Sequence, residues 1–434
     1  MRIYFIAGVI FLGAIFLTSC AASVPASLTP TRASSSANDQ TSTPVAHTTA
    51  PIATRSAPAS TPITATGAIT LTLWTSEEFA PGATPAGKVL SAQFDSFTAA
   101  YPNIHIEVAL KKAYGKGGLL DYLLTTSAIV PTQLPDLIAL DLAEAQQAAE
   151  VLQPLDAWIP ADTQNDLFPF ARQAARPQNQ WRIVPFAADV QHLVYDRGIV
   201  PTPPRTWDDA LKQKQTLLMP VGGDDAFLLQ YGALAWLEPG ATGVGFEASA
   251  TTQVLNFFKR AHDLGVMPDS AINIMNVSES WSPFAANQVA MAQVAASRYL
   301  VERDKLPNAQ YAPIPTRDGR TATLATGWGW AITTRAPTRQ AAAARLIQWL
   351  TQTDRLAPYL RAARRLPAQR AALGLVVESY GYAIFLREQL DRAFFPSAAM
   401  YAKSAEVWRV AIPAVWSGQM TPEDAARTIA AVSK

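Results

Sequence analysis

The order of apolar and polar positions predicts strands that alternate with helices. Ile69–Trp74 and Ile104–Leu110 alternate with the period of a half-buried strand, whereas Lys88–Tyr101 carries apolar side chains three and four positions apart, as a helix does. The short apolar run Leu137–Leu140 predicts a buried strand, and a helix is predicted to follow over Ala143–Val151. This alternation predicts an α/β fold with helices on the faces of its sheets.

Three later segments extend this pattern. Trp181–Tyr195 is predicted to be mainly extended chain. Thr206–Asp209 follows two prolines and has the spacing of a helix-capping box, and Thr421–Asp424 has similar spacing near the end of the chain. Because no internal repeat is visible, a repeat architecture is not expected.

The N-terminus has the layout of a secretory signal, with Arg2 before an uncharged apolar run, Ile3–Leu17, and small residues before Cys20. The sequence ending in Cys20 resembles a bacterial lipobox, which implies cleavage before this cysteine and its lipidation. An uncleaved transmembrane anchor is the alternative, but about fifteen apolar residues are short for a span that needs roughly 20. We therefore expect 1–19 to be a lipoprotein signal peptide.

The segment after the signal is predicted to be a disordered tether. Residues 20–68 are dominated by Ser, Thr, Ala and Pro and contain no aromatic residue. Such a composition cannot bury enough apolar surface to offset the loss of chain entropy. The folded part is therefore expected to be attached through this flexible linker to a lipid anchor at the outer face of the cytoplasmic membrane, on a cell surface or in a periplasm.

The rest of the chain has the composition of a globular body that is long enough for two domains. In the whole chain 49% of residues are hydrophobic and 16% are charged. The formal net charge of +1 argues against a dedicated nucleic-acid binder or a polybasic membrane binder. A single cysteine excludes an intrachain disulfide, so the packed cores must supply the stability.

Catalytic signals are poor. The four histidines are dispersed, and the sequence contains no H-E-x-x-H, C-x-x-C, G-x-S-x-G or P-loop motif. The adjacent carboxylates Glu77 and Glu78 do not show the facing pair that a glycosidase needs. We therefore expect no enzymatic activity, no metal and no cofactor, and a surface enzyme acting on carbohydrate stays the alternative.

Nine short motifs, in order along the body, resemble those of extracellular solute-binding proteins of the sugar-type class (family 1), the receptors of ABC importers. They are Leu71–Trp74, Tyr101–Ile104, Leu134–Ile138, Leu152–Asp156, Ile183–Asp196, Pro204–Asp209, Phe284–Met291, Thr326–Ile332 with the helix Ala341–Leu350, and Gly418–Ala425. Asp196 and Asn287 depart from this pattern, in which Asn and Gly are usual. Residues 222–225 and 378–385 match nothing in it.

The resemblance implies a two-lobe periplasmic-binding-protein-like fold (type II) with the ligand cleft between the lobes. Lobe one is expected to combine 69–185 with 315–374, and lobe two 186–314 with 375–434. The implied ligand is a sugar, an oligosaccharide or another polyol derivative, passed to ABC permease subunits by a monomeric receptor whose lobes close around it. The alternative that the protein is a solute sensor not coupled to transport stays open.

Candidate contacts follow from the rule that open α/β sheets bind ligands beyond the carboxyl ends of their strands. The resemblance to the solute-binding family adds candidates in the segments where the chain passes between the lobes and in lobe two. The candidates are Trp74, Ser76, Glu77, Asp141, Asp189, Trp236, Trp281, Arg298, Trp328, Trp330 and Arg365. Trp faces stack on the C–H faces of a sugar ring, and charged or amide groups bond its hydroxyls.

Each candidate also has a purely structural alternative. The tryptophans could belong to the core, Asp141 or Glu77 could cap a helix, and Arg298 and Arg365 could be ordinary surface charges. For Trp328 we expect replacement by Ala to weaken binding strongly while the melting temperature stays nearly intact. A large loss of melting temperature would instead assign Trp328 to the core.

Overall fold

The computed structural model describes residues 67–237, 245–396 and 398–432, with side chains for all of these except 398–405. The predicted lipidation site Cys20, the signal peptide and the tether as far as residue 66 lie outside the described residues. Within the described ranges, no helix has the length and apolar character that a membrane span requires.

The described chain alternates strands with helices. The strands are β1 (Ile69–Thr75), β2 (Ile104–Leu110), β3 (Leu137–Asp141), β4 (Val184–Asp196), β5 (Leu217–Leu218), β6 (Met291–Ala295), β7 (Ala309–Ala312), β8 (Thr323–Ile332), β9 (Leu366–Pro367) and β10 (Ala393–Phe394). The helices of the first half are α1 (Pro85–Ala100), α2 (Leu119–Ile129), α3 (Leu142–Gln147), α4 (Ala161–Asp166), α5 (Pro169–Ala174), α6 (Trp207–Gln213), α7 (Asp225–Ala235) and α8 (Ala248–Asp263). Those of the second half are α9 (Trp281–Ala285), α10 (Ala296–Glu302), α11 (Pro337–Leu350), α12 (Thr353–Ala363), α13 (Arg370–Val376), α14 (Tyr380–Arg392), α15 (Ala398–Trp416) and α16 (Pro422–Val432).

The strands form one continuous path in the order β2-β1-β3-β8-β4-β6-β5, with β7 and β9 pairing to β4 and β10 to β8. β1 runs parallel to β2 and β3, whereas β8 is antiparallel to both β3 and β4. The long strand β4 changes neighbours along its length. Residues up to Val190 pair with β8, and residues from Gln191 onward pair with β6. β4 thus joins two parts of the sheet.

The predicted strands and helices are confirmed with small differences at their ends. On β1, Leu71 and Leu73 are fully buried, and α1 covers the sheet with Leu90, Phe94 and Phe97. The helix predicted over Ala143–Val151 is α3, which is shorter because it ends at Gln147.

The capping prediction at Thr206 is also confirmed. Its hydroxyl accepts a bond from the Asp209 amide at 3.0 Å, and the Asp209 carboxylate accepts one from the Thr206 amide at 3.0 Å. At the second predicted cap, the Thr421 hydroxyl accepts a bond from the Asp424 amide at 3.1 Å, one half of the box. These bonds satisfy amides that the first turn of a helix leaves without a partner.

Asn287 shows why this position usually carries glycine in the pattern that the chain resembles. It follows α9 with φ at 56°, in the left-handed region. Its amide donates to the Phe284 carbonyl at 2.9 Å, so it ends the helix. Apart from glycine, asparagine is the residue that adopts this conformation most readily, so the departure leaves the turn intact.

Candidate functional site

A cavity of about 550 Å³ lies where β4 changes neighbours. This volume falls within the range of roughly 300–1,000 Å³ that is typical of small-molecule pockets. Its polar and aromatic lining residues are Glu78, Tyr114, Asp141, Asp189, Gln191, Asp225, Ser278, Ser297, Arg298, Thr326, Trp328, Arg364 and Arg365. They come from strand ends, helix starts and loops spread over much of the chain.

The register of three adjacent strands brings part of this lining together. Asp141, the last residue of β3, pairs with Trp328 of β8, and Trp328 pairs in turn with Ala187 of β4. Two residues further along β4, Asp189 pairs with Thr326. Residues two apart in a strand share a face, so the pairing predicts one continuous floor.

Asp189 is a buried acceptor that ties several segments together. One carboxylate oxygen accepts from the amides of Val190 at 2.9 Å and Ser297 at 3.1 Å. The other accepts from the Ser297 hydroxyl and lies 3.5 Å from an Arg365 guanidinium nitrogen. Burial raises the pKa of Asp189, and the nearby positive charge of Arg365 and the bonds from Ser297 oppose this shift.

Arg365 joins this carboxylate to a second one. Its guanidinium pairs with Glu78, which follows β1, and with Asp189 in β4. Its side chain is 31% exposed, so the pair is neither fully buried nor fully in water. A planar guanidinium has donors enough for two carboxylates. Glu78 and Asp189 are therefore both engaged by a protein cation.

One wall of the cavity is aromatic. The ring centroid of Trp328 lies 5.6 Å from that of Tyr114 and 4.8 Å from that of Phe79. Trp328 is only 6% exposed, whereas Tyr114 is 55% exposed. Trp328 therefore presents a small part of its surface to the cavity, and Tyr114 presents much more.

Asp141 satisfies both of the roles that the sequence left open. It caps α3, because one carboxylate oxygen accepts from the Ala143 amide at 2.8 Å. The other oxygen accepts from the Tyr114 hydroxyl at 3.2 Å, and the residue lines the cavity. Burial raises the pKa of Asp141, while its bonds to Ala143 and Tyr114 partly oppose that shift.

The opposite part of the lining comes from a segment that matched no family motif. Asp225 begins α7 and accepts from the Gln191 side chain at 3.1 Å and from the Val277 amide at 2.7 Å. Just before it, Gly222 and Gly223 pass so close to the backbone of 272–275 that a Cβ at either would overlap a carbonyl group. The glycines thus let this loop approach and place Asp225 at the cavity.

Five predicted contacts are brought together in this cavity, and we retain them as candidates: Asp141, Asp189, Arg298, Trp328 and Arg365. Ser76 and Glu77 line a neighbouring open pocket beside 110–113. Trp74 lies in that region too, half-buried, with its ring edge toward Tyr122 at 6.3 Å and the Lys111 ammonium 5.1 Å from its centre.

Three predicted tryptophans lie outside the lining of this cavity, and their contact with a ligand stays a prediction. Trp330 is 2% exposed and stacks on Phe186. Trp281 is 3% exposed and packs near Phe284. Trp236 packs against other aromatic rings, those of Tyr231, Phe246 and Phe394. Aromatic packing, the structural alternative, accounts for all three.

The predicted set did not include Tyr114, Gln191 or Asp225. Asp225 had a usable signal, since two consecutive glycines before two acids indicate a close backbone approach. Tyr114 stands beside Gly115, Gly117 and Gly118, which indicate a tight loop after a strand. Gln191 had no such signal, because nothing in an extended segment marks where it changes neighbours.

Among the residues that the structure describes, no cluster of histidine or acidic side chains has the arrangement of a metal site. The cavity instead combines carboxylates, an amide and guanidinium groups with an aromatic wall. Such a surface suits a ligand that offers both hydroxyl groups and flat apolar faces.

Comparison with known proteins agrees with this architecture. The maltotriose-binding protein of Pyrococcus abyssi is 34% identical over 84 residues, which is 19% of this chain and 18% of that relative. The chain therefore matches less than a fifth of the length of this curated relative.

Solved structures match over most of the described body. The cyclic alpha-maltosyl-1,6-maltose binding protein of Arthrobacter globiformis is 18% identical with a TM-score of 0.69, covering 85% of this chain and 98% of that one. The sugar-binding protein MalE of Xanthomonas citri is also 18% identical, with a TM-score of 0.67 and coverage of 84% and 96%. These matches confirm the predicted two-lobe α/β fold.

A family model described as bacterial extracellular solute-binding protein matches residues 92–374. The match spans more than half of the chain and includes β2, β3, β4 and β8, the strands around the cavity. The protein belongs to the family of bacterial extracellular solute-binding proteins.

Proposed function

We propose that this protein is a membrane-anchored receptor that binds a sugar or oligosaccharide in the cavity and delivers it to an ABC transporter permease. The observation that carries the proposal is that one cavity is lined both by an aromatic wall and by polar acceptors. Tyr114 and Trp328 lie on one side, and Asp189, Gln191 and Asp225 line the rest.

The chemistry of this arrangement fits a polyol. The exposed Tyr114 ring offers a flat surface to the C–H face of a pyranose, at little cost in rotamer entropy. The carboxylates retain lone pairs that accept hydroxyl protons, and charge-assisted bonds are the stronger ones. A site of this kind rejects analogues without hydroxyls, because its polar groups would lose their partners.

The names of the relatives point the same way. The three proteins compared above are described as binding maltotriose, a cyclic maltosyl-maltose and sugar. Their names support a sugar as the ligand class for this chain, and binding rather than turnover as the activity.

We propose the lobe division expected from the sequence, 69–185 with 315–374 and 186–314 with 375–434. The behaviour of β4 supports a boundary near its middle, since its residues after Val190 leave β8 and join β6. A hinge at such crossing strands would let the two lobes close around a ligand at the cavity.

The anchor and the location rest on the sequence around Cys20. A lipidated Cys20 and the 48-residue Ser/Thr/Pro/Ala segment after it (residues 21–68) would hold the receptor at the outer face of the cytoplasmic membrane. The variant Cys20→Ser, expressed in a bacterial host, should move the protein from the membrane fraction to the soluble fraction. Retention in the membrane fraction would contradict the anchor.

The first experiment is a thermal-shift screen of residues 21–434 against mono- and oligosaccharides, polyols and their phosphates. A ligand at about 100 times its dissociation constant should add roughly 2.7 kcal/mol to the free energy of unfolding. A shift with one carbohydrate class, and no product in the same samples by chromatography, would support the receptor. Product formation would support a carbohydrate-active enzyme instead, and no shift with any member would count against both.

A further inference from the structure

Among the charged side chains of the cavity lining, the carboxylates have donors within the protein, whereas two of the arginines keep most of their donors free. Each lining carboxylate is engaged by a protein donor. Asp141 binds Ala143 and Tyr114, and Asp225 binds Gln191 and Val277. Asp189 and Glu78 are both paired with Arg365, as described above. Every carboxylate of the lining therefore already has at least one donor within the protein.

Arg364 has no such compensation. It lines the cavity, and within the described residues its side chain makes no hydrogen bond, ion pair or cation–π contact. All five N–H donors of its guanidinium are therefore available.

The backbone of Arg364 lies in a conformation that favours glycine. It ends α12 in the left-handed conformation, with φ at 54° and ψ at 40°. Glycine adopts this conformation without strain and is usual at helix ends, whereas arginine adopts it at a cost. Replacement by glycine would therefore remove the guanidinium and relieve the backbone strain at once.

Arg298 supplies a second guanidinium from a different part of the chain. It lies in α10 directly after Ser297, the residue that binds Asp189, and it lines the same cavity. Its nearest acidic partner, Glu302, is 3.6 Å away, longer than a hydrogen bond, and its side chain is 45% exposed. Arg298 thus retains most of its capacity for a ligand.

Resting on the proposed function, we propose that the sugar bound by this cavity carries an anionic group, a carboxylate or a phosphate, which Arg364 and Arg298 bind. Guanidinium groups bind both anions through paired N–H donors, with shorter and stronger bonds than those between neutral groups. A neutral sugar would offer these guanidinium groups only hydroxyl acceptors, which make weaker bonds than an anionic group does.

The test compares sugars that share a carbohydrate skeleton and differ in whether they carry an anionic group. Isothermal titration measures the affinity of the protein for maltose against maltose 6′-phosphate, and for α-1,4-galactobiose against digalacturonate, in a buffer without phosphate. In at least one pair the anionic sugar is expected to bind about tenfold or more tightly than its neutral partner. The pair that shows the difference tells phosphate from carboxylate.

Two glycine variants assign the effect to Arg364. Arg364→Gly removes the guanidinium and suits the left-handed backbone, so the variant should fold at least as stably as the wild type. In the pair of sugars that shows the difference, Arg364→Gly is expected to reduce the ratio of anionic to neutral affinity about tenfold. The matched control is Lys214→Gly, at an exposed cation with φ of 54° that does not line the cavity, and it should leave the ratio unchanged.

The outcomes separate the two proposals. If the neutral sugars bind as tightly as the anionic ones, the anionic ligand is overturned and the sugar receptor stands. If none of the four sugars binds, both proposals are overturned for these sugar classes. A ratio that Arg364→Gly leaves unchanged would overturn the role of this arginine.

Discussion

At the scale of single residues, Trp328 and Tyr114 share one wall but differ in what else depends on them. Trp328 is 6% exposed and packs on Phe79, so it belongs to the core as well as to the cavity. The expectation that Trp328→Ala leaves the melting temperature nearly intact therefore needs correction. Removing such a buried aromatic side chain costs about 3–5 kcal/mol, which would mask any effect on binding.

Tyr114 is the cleaner probe of the wall. Tyr114→Ala is expected to weaken binding of the ligand found in the screen by about tenfold, because the ring is the most exposed aromatic surface of the cavity. The free energy of unfolding should fall by about 1 kcal/mol, because the variant also loses the hydrogen bond from Tyr114 to Asp141. The matched control is Tyr380→Ala, a tyrosine that is 81% exposed and lies outside the lining. Equal losses of affinity in both variants would contradict the assignment.

Glu144 should make stability depend on pH. Burial raises the pKa of Glu144 to about 7, and the charge of Asp141 adds to this shift. One carboxylate oxygen is buried without a hydrogen-bond partner. Between pH 4.5, the usual value, and about 7, the unfolded chain loses this proton while the folded protein keeps it. The free energy of unfolding contributed by Glu144 therefore falls as pH rises through this window.

Glu144→Gln is expected to remove this contribution. Thermal melts at pH 5 and pH 8 should show a smaller drop in melting temperature for the variant than for the wild type. Glu107→Gln, at an exposed position of β2, serves as the control and should leave the drop unchanged. A wild-type drop that persists in full in Glu144→Gln would place its origin elsewhere.

At the scale of elements, strands and helices with a clear apolar period could be predicted closely. Ile104–Leu110 has the same bounds in the sequence pattern and in the structure, because alternation and the Pro102-Asn103 break leave little choice. The end of α3 could not be predicted from the sequence, because 143–151 continues in helix-favouring residues past the point where the helix ends. The irregular loop at 219–225 had no period to follow.

That loop gives a prediction of its own. Gly223→Ala should lower the free energy of unfolding strongly, by about 3 kcal/mol or more, because the new methyl group would overlap the Met275 carbonyl. It should also weaken ligand binding, since the same contact positions Val277 against Asp225. Urea unfolding and titration calorimetry measure the two effects.

Gly374→Ala is the matched control. This glycine lies inside α13, and a Cβ there would meet nothing within 4 Å. Alanine is the better helix former by about 1 kcal/mol, so this variant should be as stable as the wild type or more stable. Comparable destabilisation by the two substitutions would show that the close approach at Gly223 is not the cause.

At the scale of the whole molecule, the predicted fold class is confirmed, whereas the candidate site was predicted only in part. The rule of strand ends located Asp141, and the resemblance located Asp189 and Trp328. Neither could tell Trp328 from Trp330, two residues away on the same strand. Both are almost fully buried, and only the packing of Phe186 against Trp330 decides which of them reaches the cavity.

The two-lobe fold also predicts a change of shape. Small-angle scattering with and without a saturating ligand should show a smaller radius of gyration in the bound state, because hinge closure brings the lobes together. Asp189→Asn should reduce this change, since it removes the carboxylate that binds both Ser297 and Arg365. Superimposable profiles for the free and bound wild type would contradict closure.

The position of β8 has a consequence for how the chain acquires its structure. β8 lies between β3 and β4 in the sheet, yet it follows β4 by more than a hundred residues in the sequence. At ribosomal rates of about 5–20 residues per second, synthesis of the residues between β4 and β8 takes on the order of ten seconds. Until then β3 and β4 lack the strand that pairs with both of them. During that interval both strands carry open edges, so the N-terminal part cannot finish folding early. The strand order therefore favours a chain that is incompletely folded while it is being made, which is the state that passage through a narrow export channel requires.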